Sequence, residues 1–169
     1  MIRPVLLLPH AVLSRPCPPV DDIDDVAQAL AGDLLDTMRG SAHSVGVAAP
    51  QIGVSLRAFC FDVTGHPKAV SCHGEVVLFN PLVVTNPTAT VAIEVGREGC
   101  MSVPDLTGDV ARARELVVQG IGPDGEERRL EVDGFEARAV QHELDHLDGL
   151  LFLDRVVAAD RLFRRRLYR

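Results

Sequence analysis

The segment AVQHELDHLDG, residues 139–149, places two histidines four positions apart and a glutamate directly after the first. Residues 135–147 predict an α-helix, because apolar side chains recur there at helical spacing and Gly149 is suited to end the helix. Side chains at positions i and i+4 lie one above the other on the same helix face. His142 and His146 can therefore bind one metal ion through their imidazole nitrogens, as in the HExxH pattern.

Glu143 lies near this pair but is rotated away from the line that joins the two histidines. It can therefore orient and deprotonate a water molecule on the metal instead of binding the ion itself. The alternative is a helix with two surface histidines and an incidental glutamate, since so short a pattern also occurs by chance. A third protein ligand would favour the metal site, because hydrolytic sites combine three ligands with one open position.

Spacing does not determine the third ligand, and two residues are candidates. Cys100 follows a glycine in REGCMS, at a bend after a predicted strand, where its thiolate could face a cleft. Asp154 lies downstream of the helix and is the other candidate, whereas Asp148 is too close along the helix. A buried small hydrophobe remains the alternative interpretation of Cys100. Cys60 is expected in the core and Cys72 in an exposed loop.

The composition predicts one soluble domain that spans residues 1–169. Hydrophobic residues make up 47% of the chain, which is enough for a core without disulfides. The formal net charge of −7 argues against wrapping of nucleic acid. The apolar run near the start is too short for a signal peptide, and no later segment approaches membrane-spanning length. We therefore expect a cytoplasmic protein without a membrane partner, in which the cysteines are reduced.

The apolar pattern predicts a second helix and a group of strands. The helix runs from Asp21 to Arg39 and precedes a small-residue loop at 46–53. The predicted strands are 54–63, 76–84 with a break at Asn80-Pro81, 88–104, 115–121 and 128–134. A short basic helix is expected at 154–169. Because there is no βαβ alternation, we expect an α+β fold with mostly antiparallel sheets around a central helix that carries the HExxH pattern.

Three segments together resemble the peptide deformylase family. SVGVAAPQ (44–51) looks like the GxGxAAxQ motif of that family, EGCMS (98–102) is similar to its EGCLS motif, and QHELDH (141–146) matches its HExDH motif. The order and spacing of the three agree with the family, and weaker likeness covers nearly the whole chain. The implied reaction removes the N-formyl group from the initiator methionine of nascent polypeptides and releases formate.

The resemblance also implies a set of site residues. The metal ligands would be Cys100, His142 and His146. The ion would be a single divalent metal, with Fe²⁺ expected and Zn²⁺, Ni²⁺ or Co²⁺ as other occupants.

The implied catalytic residues are Glu143 as the base, with the side chain of Gln51 and the backbone N–H of Met101 as oxyanion donors. The implied substrate-binding residues are Val45, Gly46 and Gly99, which would hold the peptide as an added strand. Glu98, Arg112 and Asp145 are expected to orient the ligands.

The sequence departs from the family pattern at a few positions. Ser44 replaces the first glycine of its motif, which would be unfavourable if that position needed a positive φ. Met101 replaces leucine with little change in volume. Ala111 stands where proline is common before Arg112.

A cluster of arginines near the C-terminus raises the question of a partner. Its members are Arg155, Arg161, Arg164, Arg165, Arg166 and Arg169. A ribosome contact would suit an enzyme that acts on nascent chains, and solvation of a helix end is the alternative. We expect a monomer. The alternative functions are a metallopeptidase, an amidase for another N-acyl group, a weakly active paralogue, or a binding module with a structural metal.

Overall fold

Eight β-strands form two antiparallel sheets in residues 1–84 and 92–165, the part of the chain that the computed structural model describes. The larger sheet has the order β1-β2-β3-β6-β7. These strands are β1 (Gly46–Ala48), β2 (Ala58–Phe61), β3 (Val76–Val84), β6 (Glu115–Ile121) and β7 (Glu127–Asp133). The smaller sheet has the order β4-β5-β8. Its strands are β4 (Ile93–Cys100), β5 (Val103–Ala113) and β8 (Leu162–Arg164).

Two α-helices accompany the sheets in this part of the chain, α1 (Asp25–Gly40) and α2 (Gly134–Leu147). Helix α1 begins where the side chain of Asp24 accepts hydrogen bonds from the backbone N–H groups of Val26 and Ala27, which caps its first turn. Helix α2 ends at Leu147, and Gly149, two residues further on, turns the chain with a φ of 74°. A β-carbon there would lie 2.7 Å from the backbone of Arg15, so this position requires glycine. The predicted α+β class with antiparallel sheets is confirmed.

Within the described residues, the buried apolar side chains form three core clusters. One face of α1, with Leu30, Leu34 and Met38, packs on the larger sheet. The apolar side of α2, with Val140 and Leu147, packs on the same sheet through a second cluster. The third cluster lies on the smaller sheet and includes Cys100, Val103, Val110, Leu151 and Phe152. Helix α2 thus contacts strands of both sheets, which places its polar side at their junction.

The predicted helix at 154–169 is wrong. The chain forms 3₁₀ turns at Phe152–Arg155 and Ala159–Arg161, then adds β8 to the edge of β5. Pairing with β5 stabilises this segment, whereas a short basic helix without a packed apolar face would be only marginally stable. Residues 166–169 of the predicted helix lie outside the described residues.

Other predicted boundaries also differ from the structure. Part of the predicted loop at 46–53 is strand β1, because its small buried residues pair with β2. Asn80-Pro81 does not end β3, since the chain continues through a register shift there and Asn80 exchanges side-chain hydrogen bonds with Val20. The strand predicted at 88–104 begins at Ile93 within the described residues, and its positions 88–91 lie outside them.

None of the described helices is long and apolar enough to cross a membrane.

Candidate active site

One thiol and two imidazoles converge where α2 meets the end of β4. Cys100, His142 and His146 each present one potential ligand atom, and these atoms lie within 4.8 Å of one another. Cys100 Sγ is 3.3 Å from His146 Nε2, and the two imidazole rings are inclined at 82° with centroids 5.0 Å apart. The three residues expected as metal ligands are therefore brought together around one point.

Local structure explains why these side chains meet. The two histidines are one helical turn apart, so both rings project from the same side of α2. Cys100 is the last residue of β4, and the β4–β5 register shifts between Gly99 and Cys100. The shift and the turn that follows direct the thiol towards the helix. Asp154, the other candidate ligand, instead accepts a hydrogen bond from Leu151 N at 2.8 Å within its own turn, so that candidate is not supported.

The imidazoles determine the charge state of the thiol. Burial alone would raise the pKa of Cys100, but His146 and His142 outweigh it and hold that pKa well below its ordinary value. Burial would likewise lower the pKa of His142, yet the adjacent Cys100 and Glu98 raise it well above its ordinary value. A thiolate is the form of cysteine that binds metals. The buried thiolate is therefore stabilised by positive charge at the imidazoles. A metal cation bound by the three groups would supply that positive charge in place of the imidazole protons.

A buried ion cluster made of Glu98, Arg112, Arg138 and Asp145 supports the ligands. Glu98 accepts hydrogen bonds from Arg112 at 2.9 and 3.0 Å and from Arg138 at 2.9 Å. Arg112 also donates to Asp145 at 2.6 Å. Burial opposes ionisation of Glu98, but His142 and Arg112 lower its pKa to about 2. Arg112 thus links strand β5 to both the ligand strand and the ligand helix.

Arg138 is a member of this cluster that the sequence did not single out. Its guanidinium donates to the carbonyls of Glu94 at 2.8 Å and Val110 at 2.9 Å as well as to Glu98. A β-carbon on Gly96 would lie 2.9 Å from this guanidinium, so the glycine makes room for it. The local signal for this residue is its position one helical turn before His142, on the same face of α2.

Glu143 faces the cleft from beside the two histidines. Its Oε1 lies 2.5 Å from where a β-carbon on Gly46 would be, so the absence of a side chain there accommodates the carboxylate. Its Oε2 is buried and has no hydrogen-bond partner among the described residues. Burial raises the pKa of Glu143 to about 7. The carboxyl group is therefore positioned and tuned to exchange a proton with a molecule in the cleft.

Gln51 is buried on the other side of Cys100. Its Oε1 accepts a hydrogen bond from Ala48 N at 2.9 Å, which fixes the amide orientation. Its Nε2 then donates to Ser102 Oγ at 3.2 Å and lies 3.5 Å from Cys100 Sγ. One amide proton is thus directed at the ligand sulfur. Ser102 ends the EGCMS segment, and no local sequence pattern predicts its contact with Gln51.

A cleft of about 440 Å³ opens over these groups. Its lining includes the residues expected to bind substrate, Val45, Gly46 and Gly99, together with Met101. Phe135 and Ala139 extend the lining along α2 from the histidines. The cleft therefore combines an apolar wall with the polar groups described above.

The amino-acid sequence matches the sequence model of the polypeptide deformylase family over residues 2–162. The chain belongs to the polypeptide deformylase family. A peptide deformylase of Acidothermus cellulolyticus is 43% identical over 157 residues, which cover 92% of this chain and 79% of that protein. The resemblance of the three sequence segments to this family is confirmed.

Solved structures of deformylases have the same fold. The peptide deformylase of Thermotoga maritima matches with a TM-score of 0.82 at 31% identity, over 94% of this chain and 99% of that one. A class I type b peptide deformylase of Acinetobacter baumannii, solved with Met-Ala-Ser bound, matches with a TM-score of 0.81 at 32% identity, over 92% and 99% of the two chains.

The serine at position 44, where the deformylase motif has glycine, does not need a positive φ. The positive φ in this loop, 63°, occurs at His43 and not at Ser44. Ser44 Oγ donates to Gly46 O at 3.1 Å. The expected cost of replacing a glycine at this position therefore does not arise, and the hydroxyl instead supports the start of β1.

Proposed function

We propose that this member of the deformylase family is a metal-dependent hydrolase that removes the N-formyl group from the initiator methionine of nascent polypeptides and releases formate. The observation that carries the proposal is the convergence of one thiol and two imidazoles beside a buried carboxyl group, beneath a cleft of about 440 Å³. We propose that residues 1–169 form a single catalytic domain around helix α2. The protein would act as a monomer in the cytoplasm.

The donor set fits one divalent ion. Glu98 accepts the Nδ1 proton of His142 at 2.9 Å, which leaves Nε2 of that ring for a metal. One soft thiolate and two imidazoles suit Fe²⁺, Zn²⁺, Ni²⁺ and Co²⁺. We propose Fe²⁺ as the natural ion. Three protein ligands leave a coordination position open, which favours catalysis over a purely structural site.

A divalent ion held by Cys100, His142 and His146 would supply a Lewis acid and lower the pKa of a water molecule. Glu143 would accept the proton of that water at its buried Oε2 and later deliver it to the departing amine. Its burial and its raised pKa, about 7, suit both steps near neutral pH. The carboxyl group would therefore act as base and then as acid.

Negative charge that builds on the formyl oxygen needs donors on the protein. We propose the Nε2 group of Gln51, which already directs a proton towards Cys100 Sγ, and the backbone N–H of Met101, which follows the ligand cysteine. Donors that the fold holds close to the developing charge are effective because they need little reorientation during the reaction. The bond from Ala48 N to Gln51 Oε1 would keep the amide in this orientation.

The peptide would bind as an added strand. Strands β1 and β4 each lie at an end of their sheet. Gly46 of β1, Gly99 of β4 and Val45, which directly precedes β1, line the cleft. Unpaired backbone groups at a sheet edge can hydrogen-bond an extended peptide.

Formate release tests the proposal. Protein purified without oxygen, with its metal content measured, should release formate from formyl-Met-Ala-Ser without cleaving internal peptide bonds. Cleavage of internal bonds would indicate a metallopeptidase, and turnover of acetyl but not formyl peptides would indicate another amidase. A folded, metal-loaded protein that releases no formate would overturn the proposal. Slow release would instead indicate a weakly active paralogue.

A ribosome contact through the C-terminal arginines is a separate proposal. Within the described residues, Arg155 donates to Asp145 at 3.0 Å and Arg161 lies 3.9 Å from Asp109, so part of the arginine group contacts the protein itself. Arg164 is exposed on β8 and is the candidate for RNA, together with Arg166, which lies outside the described residues. Arg164→Ala/Arg166→Ala should bind ribosomes more weakly, with a smaller salt dependence. Unchanged binding would remove the proposal.

A further inference from the structure

A single arginine from the C-terminal strand reaches into the mouth of the cleft. Arg165 directly follows β8, and its backbone N–H donates to Asp105 O at 2.8 Å, which continues the pairing with β5. Its side chain lines the cleft, where Nη2 donates to the carbonyl of Cys100 at 3.4 Å. The guanidinium is therefore held beside the ligand cysteine by contacts of both its backbone and its side chain.

Gly99 makes this position possible. A β-carbon on Gly99 would overlap Arg165 Nη2 and would lie 3.3 Å from Thr107 Cγ2. The guanidinium thus occupies the space above a bare stretch of β4 backbone. A peptide that passes Gly99 on its way to the histidines must contact Arg165 or displace it.

The other arginines of the cleft already contact carboxylates. Arg97 donates to Asp109 at 2.6 Å and stacks on Phe163 with its Cζ atom 3.8 Å from the ring centroid. Arg138 is engaged by Glu98 at 2.9 Å. Within the described part of the chain, Arg165 by contrast contacts a neutral carbonyl. It therefore retains N–H groups that can bind an acceptor on a ligand.

We propose that Arg165 is a specificity-determining residue that binds a carboxylate on the substrate, so that the cleft favours peptides with an acidic residue after the formylated methionine. This inference rests on the proposed function and adds a substrate class to it. A guanidinium presents a planar pair of donors that matches a carboxylate. Its position beside Gly99 places those donors next to the path of the peptide.

The test compares isosteric peptides. The pairs are formyl-Met-Ala-Glu with formyl-Met-Ala-Gln, and formyl-Met-Glu-Ala with formyl-Met-Gln-Ala, all as C-terminal amides so that no terminal carboxylate competes. The wild-type protein should prefer the glutamate peptide in at least one pair by about twofold to fivefold in kcat/KM, as expected for a partly exposed ion pair. The preference should lie in KM and should shrink at high salt.

Variants of adjacent arginines supply the comparison. Arg165→Ala should bring the Glu/Gln ratio to about one, and Arg165→Lys should retain part of the preference. Arg164→Ala is the matched control, because alternate residues of a strand face opposite sides and Arg164 does not belong to the cleft lining. It should keep the wild-type ratio. Thermal unfolding would verify that each variant is folded.

Three outcomes would overturn the inference. An unchanged ratio in Arg165→Ala would do so, as would an equal rise in kcat/KM for all peptides, which would mean that the side chain only obstructs the cleft. In both cases normal formate release by the wild type would leave the proposed function intact. Absence of formate from every peptide with the metal-loaded wild type would overturn the proposed function together with this inference.

Discussion

Glu98 Oε2 lies 2.9 Å from His142 Nδ1, and the same carboxylate accepts hydrogen bonds from Arg112 and Arg138. The residue two positions before the thiol of Cys100 on β4 thus orients an imidazole on α2. Because the two arginines accompany it, Glu98 can stay ionised although it is buried. Ligand geometry at this site therefore depends on a charge balance around one carboxylate.

Replacing Glu98 should weaken metal binding and stability together. Glu98→Ala should reduce metal affinity about 10–100-fold, because His142 loses the partner that fixes its orientation. It should also destabilise the fold by about 3–5 kcal/mol, because Arg112 and Arg138 keep buried charges without their shared partner. Chelator competition and urea unfolding measure the two effects. Glu98→Gln is the matched control for shape, and an unchanged metal affinity in Glu98→Ala would contradict the orienting role.

Replacing Glu143 should separate catalysis from metal binding. Glu143→Gln should lower kcat by about 10²–10⁴-fold, the range expected for loss of a general base, while the metal content stays at the wild-type level. Formate release and elemental analysis of the same preparation provide the measurement. Loss of the metal in this variant would mean that Glu143 is a ligand, contrary to the role proposed for it.

Adding one methyl group at Gly46 should disturb the same carboxyl group. The β-carbon of Gly46→Ala would lie 2.5 Å from Glu143 Oε1, so the glutamate must move. We expect a destabilisation of about 1–3 kcal/mol, as for other overpacked buried positions, together with a lower kcat. The destabilisation should largely disappear in Gly46→Ala/Glu143→Ala when it is compared with Glu143→Ala alone. Equal unfolding costs of the methyl group in both backgrounds would disprove the contact.

Removing the metal should lower the stability of the fold. An ion that binds only the native state at about 100 times its Kd stabilises that state by about 2.7 kcal/mol. Chelation should therefore lower the Tm, and added Zn²⁺ or Ni²⁺ should restore it. Cys100→Ser is the control, since its Tm should respond much less to chelator because a ligand has been lost. A wild-type Tm that does not respond to chelator or metal would argue against an ion at this site.

Local patterns were enough to predict the two helices, much of the larger sheet and the convergence of the HExxH residues. The two histidines meet because helical spacing alone brings them together, which requires no knowledge of the fold. Cys100 could be assigned as third ligand only through the resemblance to a family, since its distance from the helix depends on a β4–β5 register that no local pattern specifies.

The elements that differ from their prediction have one physical cause, which is pairing between residues distant in sequence. Strand β8 lies where a short basic helix is predicted, because pairing with β5 outweighs the helix preference of arginine and leucine. Strand β1 lies in a segment whose small residues predict a loop, although pairing with β2 buries it. The role of Arg138 also depends on long-range contacts, because its carbonyl partners Glu94 and Val110 lie on strands distant in sequence.

The bridge formed by Arg112 between Glu98 and Asp145 bears on any attempt to transplant this centre. The strand that supplies the sulfur and the helix that supplies the nitrogens are both hydrogen-bonded to one guanidinium. A design that grafted only the three donor residues onto a foreign scaffold would leave their mutual spacing to chance. The smallest portable unit is the donors plus this arginine and its two carboxylates, six side chains drawn from three separate segments.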